Sequence, residues 1–264
     1  MDIRLLGPVQ AWRGGTVLTL GPRQQRLVLA ILALEVNRVV PVDRLVDLVW
    51  SGCPTPTARQ AIRVCVSRLR AALGGAGGTV PLTTVGTGYE LRTDPLGVDA
   101  HRFRALVDQA RDTARDVARV GLYRRALQLW RGPALTDVAA VGVAEPLTRG
   151  LEQVRLAAVE ECLSAELRLG RHLVALEELI DLVARHPYHQ RFVALLMLAL
   201  HRAGRPGDAL AAYRTARSLL ADDLGLDPQP RLCALELAIL RSDPALDVPA
   251  PDHRAGTSTA REFS

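Results

Sequence analysis

Apolar and polar positions alternate in short runs at the start of the chain and then settle into helical spacing. "IRLLGPVQAW" and "RGGTVLTL" read as two short strands around a turn at Gly14-Gly15. "GPRQQRLVLAILALEV" reads as a helix with Pro22 in its first turn and Leu27, Ala30, Ile31 and Leu34 toward the core, stopped near Asn37. "VVPVDRLVDLVW" supplies a second helix, with Leu45, Leu48 and Val49 buried and Trp50 near its end. A loop with two prolines, "SGCPTPT", leads to "ARQAIRVCVSRLRAAL". At about 100° per residue, Ala58, Ile62, Cys65, Val66, Leu69, Ala72 and Leu73 share one face, which is the stripe such a helix buries. "PLTTVGTGYELRT" then reads as strand, tight turn at Gly86-Thr87-Gly88, strand. The expected order is strands, three helices, then a hairpin.

The third helix is basic where it is not apolar. Gln60, Val64, Ser67 and Ala71 lie opposite the core stripe and are short or amide-bearing. Arg59, Arg63 and Arg70 line one shoulder, and Arg68 the other. Such a face can enter a major groove, with guanidinium groups reaching phosphates or guanine edges; it can equally be a solvated surface. The charge distribution favours the first reading. Residues 1–94 hold 11 arginines against 6 acidic residues, whereas 95–264 hold 22 of each. The whole net charge of +5 therefore belongs to the segment with this helix, which implies an anionic partner.

A third helix of this kind followed at once by a hairpin is the layout of a winged helix. "GPRQQRLVLAILAL", "DRLVDLVW", "ARQAIRVCVSRLRAAL" and "VGTGYEL" resemble the OmpR/PhoB-type DNA-binding domain. The N-terminal placement and the "VSRLR" core resemble the Streptomyces antibiotic regulatory protein (SARP) family. The resemblance implies a recognition helix in which Gln60, Arg63, Val64 and Ser67 face bases while Arg59, Arg68 and Arg70 face phosphates. It implies a DNA-backbone contact at Arg23, aided by the helix N-terminus, and a wing contact through Thr84, Thr87 and Tyr89. Arg23 could instead be solvated, and Tyr89 could pack the hairpin onto the helices. The loop Ser51, Gly52, Cys53, Pro54, Thr55, Pro56, Thr57 resembles the segment by which such activators meet RNA polymerase, or it is an inert connector. Regulators of the OmpR/PhoB type usually carry a receiver domain ahead of this one. Here Met1 stands almost on the first strand, so control by aspartyl phosphorylation of such a domain is not expected.

From "DPLGVDAHRFRALVDQAR" onward the pattern is all helix. Gly121, Gly170 and Gly204 each open a G-x4-A-L motif. Gly170 and Gly204 are 34 residues apart, the tetratricopeptide period, and the longer first gap is read as an insertion, "WRGPALTDVAAVGVAEP". In such repeats glycine permits the inter-helix turn and alanine lets the next helix approach. "LAAYRTARSLLADDLGLDPQPRLCALELAIL" resembles the bacterial transcriptional activation domain that follows the winged helix in SARPs, which implies a regulatory or dimer-forming module. The expected fold class is an α+β winged helix-turn-helix followed by an all-α tetratricopeptide-like helical-repeat domain. The expected domains are 1–94 (DNA binding), 95–241 (activation) and 242–264, a tail rich in Pro, Ala, Ser and Thr expected to be disordered.

Composition removes several other functions. No lysine occurs, so a Walker phosphate loop is excluded, and "GGAGG" from Gly74 reads as a connector. Cys53, Cys65, Cys162 and Cys233 show no CxxC spacing, so neither a zinc site nor a disulfide framework is signalled. "RHPYHQ" spaces His186 and His189 by three with Pro187 between them, which suits an inter-repeat turn better than a metal site. Glu160-Glu161 and Glu177-Glu178 point to different helix azimuths and no nucleophile motif appears, so no catalytic activity and no cofactor are expected. No signal sequence or long uncharged apolar run appears, and the expected location is the bacterial cytoplasm, on the nucleoid when bound. The resemblance implies an activator of an antibiotic or secondary-metabolite cluster that binds direct repeats in double-stranded promoter DNA as a homodimer and recruits RNA polymerase holoenzyme. The alternatives are a helical-repeat adaptor that binds protein, and a repressor acting by occlusion.

Overall fold

The computed structural model describes residues 1–50, 52–74, 81–138 and 144–247. Ser51, most of the "GGAGG" connector and residues 248–264 of the expected tail lie outside the described residues. The chain divides into two compact units, Met1–Val159 and Glu160–Ser264.

The first unit opens with three antiparallel strands, β1 (Asp2–Arg4), β2 (Gln10–Arg13) and β3 (Thr16–Val17), with Ile3 opposite Ala11. Gly14 and Gly15 turn the chain between β2 and β3 at φ of 55° and 83°. Helix α1 (Arg23–Leu34) is buried almost all round, from Leu27 through Ala33 and at Gln25, rather than along one stripe. It ends before Asn37, which takes φ of 59° and clamps Thr93 in both directions. Its Nδ2 donates to Thr93 O at 3.0 Å, and its Oδ1 accepts from Thr93 N at 3.1 Å.

"VVP" is not the start of the second helix but a strand, β4 (Val39–Pro41), which precedes α2 (Val42–Trp50). It pairs with the hairpin β5 (Leu82–Val85) and β6 (Gly88–Leu91) in the order β4-β6-β5. Two β-branched residues followed by a proline suit an edge strand, where the missing N–H costs nothing. Close packing there explains Gly88, because a Cβ would meet Val40 O at 2.5 Å. In α2, Leu45 and Val46 are buried while Leu48 and Val49 are half-buried, so the core face is turned one position from expectation. Helix α3 (Ala58–Leu73) packs on α1, α2 and β5.

The same unit continues through α4 (Asp99–Asp112) and α5 (Asp116–Leu127). Asp99, 2% exposed, joins this stretch to the first sheet by accepting from Leu5 N at 2.7 Å and Leu6 N at 3.1 Å. Residues 131–138, read above as an insertion, form a strap across the same loop. Arg131 N donates to Leu6 O, Leu135 N to Leu5 O, and Val9 N to Asp137 Oδ1. Gly7, at φ of 140°, leaves the space that Arg131 occupies.

Helix α6 (Ala144–Arg168) runs across the division between the units. In the second unit α7 (His172–Arg185), α8 (Gln190–Arg202), α9 (Pro206–Leu224) and α10 (Pro230–Leu240) follow. Helix α8 is the core element, with α7, α9 and α10 packed on it and Phe192, Val193 and Met197 fully buried. Gly170 and Gly204 sit in the turns before α7 and α9 with φ of 74° and 75°, and Ala175 and Ala209 are fully buried. Gly121 instead lies inside α5, so the first motif matches the repeat in spacing but not in geometry. Gly204→Ala adds a Cβ that meets nothing within 4 Å, so only the left-handed backbone resists it. The expected loss is about 1 kcal/mol in urea unfolding.

The first part of the expected tail is ordered. Pro244–Leu246 forms a 3-10 turn, and Arg202 donates to the carbonyls of Leu246 and Leu167 at 2.7 Å each. Among the described residues, no helix is long and apolar enough to cross a membrane.

Candidate nucleic-acid interface

Helix α3 follows a turn at Pro56-Thr57 and has no side-chain cap at its N-terminus. Ala58, Ile62, Cys65, Val66, Leu69 and Leu73 are buried, as the spacing requires, and Ala72 is half-buried. Arg59, Gln60, Arg63, Val64, Ser67, Arg68 and Ala71 are exposed. Val64, at 39% exposure, lies on the outer face as expected. Among the described residues Gln60, Arg63, Ser67 and Arg68 make no hydrogen bond or ion pair, so their polar groups are available to a ligand. Arg59 pairs with Asp43 at 2.7 Å, but both side chains are about two-thirds exposed. Such a pair contributes no more than about 1 kcal/mol, and a phosphate can displace the carboxylate.

Arg70 is placed differently. It is half-buried, its Nε donates to Leu82 O at 3.0 Å, and its Nη2 donates to Thr84 Oγ1 at 2.7 Å. Its guanidinium also stands 5.9 Å from the Tyr89 ring centroid. The side chain is a strut from α3 to the hairpin, and its donors are largely spent inside the protein. Arg13 braces the same helix from β2 by donating to Leu73 O. Arg70→Ala is expected to lower stability by about 1–2 kcal/mol, the range for hydrogen bonds from a charged, partly exposed donor. Faster amide exchange in β5 and β6 should accompany it, and lysine, which lacks the planar fork that spans the two acceptors, should rescue it only in part.

Tyr89 corrects an expectation. It is 7% exposed and packs in the hairpin, so its ring cannot lie in a groove; of its two readings, packing is the one observed. Thr84 and Thr87 are exposed at the wing. Together with Arg59, Arg63, Asp43 and Tyr89 they line a cleft of about 400 Å³ between α3, the start of α2 and the hairpin tip. Thr87 O accepts from Val42 N at 3.1 Å, which fixes that tip against α2.

Arg23 begins α1 and is exposed, but its Nε donates to Val138 O at 2.7 Å. The strap, not solvent alone, therefore orients it. The next turn repeats the arrangement, with Arg26 paired to Asp137 at 2.9 Å. Gly52, Cys53, Pro54, Thr55, Pro56 and Thr57 are all exposed, with Gly52 at φ of 78° and a turn in which Ala58 N donates to Thr55 O. The Arg70 strut, the strap and β4 were not read from the sequence. The half-buried Arg70 had a signal, because it stands one turn from the helix end that the hairpin must cover.

In the second unit the histidine pair serves the turn between α7 and α8. His189 stacks on Phe192 with centroids 4.1 Å apart, and Tyr188 donates to Asp223 at 2.9 Å. Glu160 pairs with Arg191 at 2.5 Å, and burial raises its carboxyl above the usual range against that pull. Among the described residues no group of three or more His, Cys, Asp or Glu could hold a metal ion.

Comparison with known proteins follows the same architecture. Residues 15–91 match the family model described as "Transcriptional regulatory protein, C terminal", and residues 98–240 match "Bacterial transcriptional activator domain". The chain is 38% identical to the regulatory protein DnrI of Streptomyces peucetius over 98% of this chain and 99% of that one. It is 39% identical to the regulatory protein AfsR of Streptomyces griseus over 94% of this chain, which spans only 25% of that longer protein. A solved structure of Mycobacterium tuberculosis EmbR in complex with a low-affinity phosphopeptide superposes with a TM-score of 0.84 at 38% identity. That match covers 92% of this chain and 65% of the EmbR chain. A winged helix joined to a helical activator domain, with relatives of this kind, defines a transcriptional regulator and not an enzyme. The chain belongs to the Streptomyces antibiotic regulatory protein family.

Proposed function

We propose that the chain is a sequence-specific DNA-binding activator of an antibiotic or secondary-metabolite gene cluster. In this reading residues 1–94 bind double-stranded promoter DNA and 95–241 form the activation domain. Helix α3 lies in the major groove with Gln60, Arg63, Val64 and Ser67 toward bases and Arg59 and Arg68 toward phosphates. Arg23 and the wing residues Thr84 and Thr87 contact the flanking backbone. Two protomers occupy direct repeats, since one module's interface is small for selective binding. The exposed loop from Gly52 to Thr57 meets RNA polymerase.

The observation that carries this reading is the row of exposed, unpaired polar groups on α3 beside the wing. Gel-shift titration against fragments upstream of neighbouring biosynthetic genes tests it. One or a few fragments should bind far more tightly than the rest, and equal affinity for all of them would remove the specificity claim. Binding should weaken steeply with salt, by about 0.9 log units of affinity per log unit of salt for each phosphate neutralised. Arg68→Ala should reduce that slope by about 0.9 and weaken all fragments alike.

A further inference from the structure

A second concavity lies apart from the α3 face. It measures about 510 Å³ and is bounded by the end of α1, by α2, by α4 and by Leu147 of α6. That volume falls within the range of about 300–1,000 Å³ typical of small-molecule sites. Leu34, Pro95 and Leu147 give it apolar surface, with Ile31 and Val36 buried behind them. Its rim is cationic, with Arg38, Arg44 and Arg104 beside one carboxylate among the described residues, Glu35.

That carboxylate does not neutralise the rim. Glu35 holds Arg44 at 2.9 Å but Arg38 only at 3.9 Å, and the Arg38 side chain is 80% exposed. Arg104 has no hydrogen bond or ion pair among the described residues. His101 stands at the same rim with Nε2 donating to Ala33 O at 3.0 Å, which directs its other ring nitrogen elsewhere. Two guanidinium groups are thus left short of an anion beside apolar surface.

We infer that this cavity binds a small molecule with an apolar body and one or two anionic groups, carboxylate, sulfate or phosphate. The apolar body covers Leu34, Pro95 and Leu147, and the anion is held by Arg104 and Arg38 through charge-assisted hydrogen bonds. The walls come from both family-matched segments: α1 and α2 lie within 15–91, and α4 and Leu147 within 98–240. A ligand seated there touches both segments at once.

The test uses the full chain and two fluorescent probes with nearly the same ring system. One is anionic, 1-anilinonaphthalene-8-sulfonate, and the other is neutral, N-phenyl-1-naphthylamine. The anionic probe should bind saturably at one site, and the neutral probe should not. Arg104→Glu alters an exposed, unpaired side chain, so circular dichroism should be unchanged. The anionic probe should bind it about tenfold more weakly or worse, the loss of one charge-assisted hydrogen bond. Equal affinity in variant and parent, or equal binding of the neutral probe, would overturn the inference. Promoter-fragment affinity should be unaffected by Arg104→Glu. A parallel fall would assign the arginine to the nucleic-acid surface and also overturn it. The fluorescence titration is read without DNA, so it stands whatever the promoter titrations give.

Discussion

The double substitution Gln60→Ala/Arg63→Ala is expected to weaken binding to the preferred promoter fragment by about 2–6 kcal/mol, at about 1–3 kcal/mol for each base contact. Both side chains are exposed and make no hydrogen bond or ion pair among the described residues. Unfolding by urea should therefore be unchanged. Binding to unrelated duplex should fall much less, because Gln60 carries no charge and Arg63 only one. Titration of both duplexes against parent and variant separates the two effects. An equal loss on both would mean that these residues hold the backbone and read nothing. Arg63 is the better partner for this test than Arg70, whose removal would also free the hairpin.

Asp99→Ala is expected to lower the stability of the first unit by about 3 kcal/mol or more. The carboxylate accepts from two buried amides, Leu5 N and Leu6 N, and stands 3.6 Å from Arg131. Leaving buried donors unsatisfied costs about 1–3 kcal/mol each. Burial pushes the Asp99 carboxyl up, while hydrogen bonds from Leu5, Leu6 and Ala100 and the charge of Arg131 pull it down. Asp99→Asn keeps the shape but turns an NH2 toward one of the two amides, so it should fall between parent and alanine. Urea unfolding of the three proteins measures the order. An alanine variant as stable as the parent would show that this junction carries no weight.

The α3 face was legible because helical period and chemistry agree there. Every position assigned to its core stripe is buried or half-buried, and every position placed opposite is exposed. Gly170 and Gly204 were legible for a related reason: a backbone at positive φ favours glycine, and the spacing marked where the turns fall. Short elements were not legible. Val39 to Pro41 is too brief to show a period, and its strand character comes from pairing with β6, a partner 47 to 51 residues away in sequence. The strap of 131–138 has no period at all, and its order comes from Leu5, Leu6 and Val9, more than 120 residues earlier. Arg70 shows the limit of azimuth arguments. It stands on the shoulder the period predicts, but a long side chain at a helix shoulder goes to whichever acceptor is near. Here the hairpin supplied two. Tyr89 fails as a groove contact for the matching reason, since strand alternation alone does not say which side the helices cover.

The most direct measurement is photocrosslinking from two single positions to a labelled promoter duplex, with p-benzoylphenylalanine in place of Val64 in one protein and of Leu173 in the other. Val64 is the exposed apolar centre of the α3 face, and Leu173 is an exposed apolar residue on α7. Strong crosslinks from position 64, lost on competition with unlabelled promoter and absent from position 173, are the predicted result. Crosslinks from position 173 with none from position 64 would contradict the account.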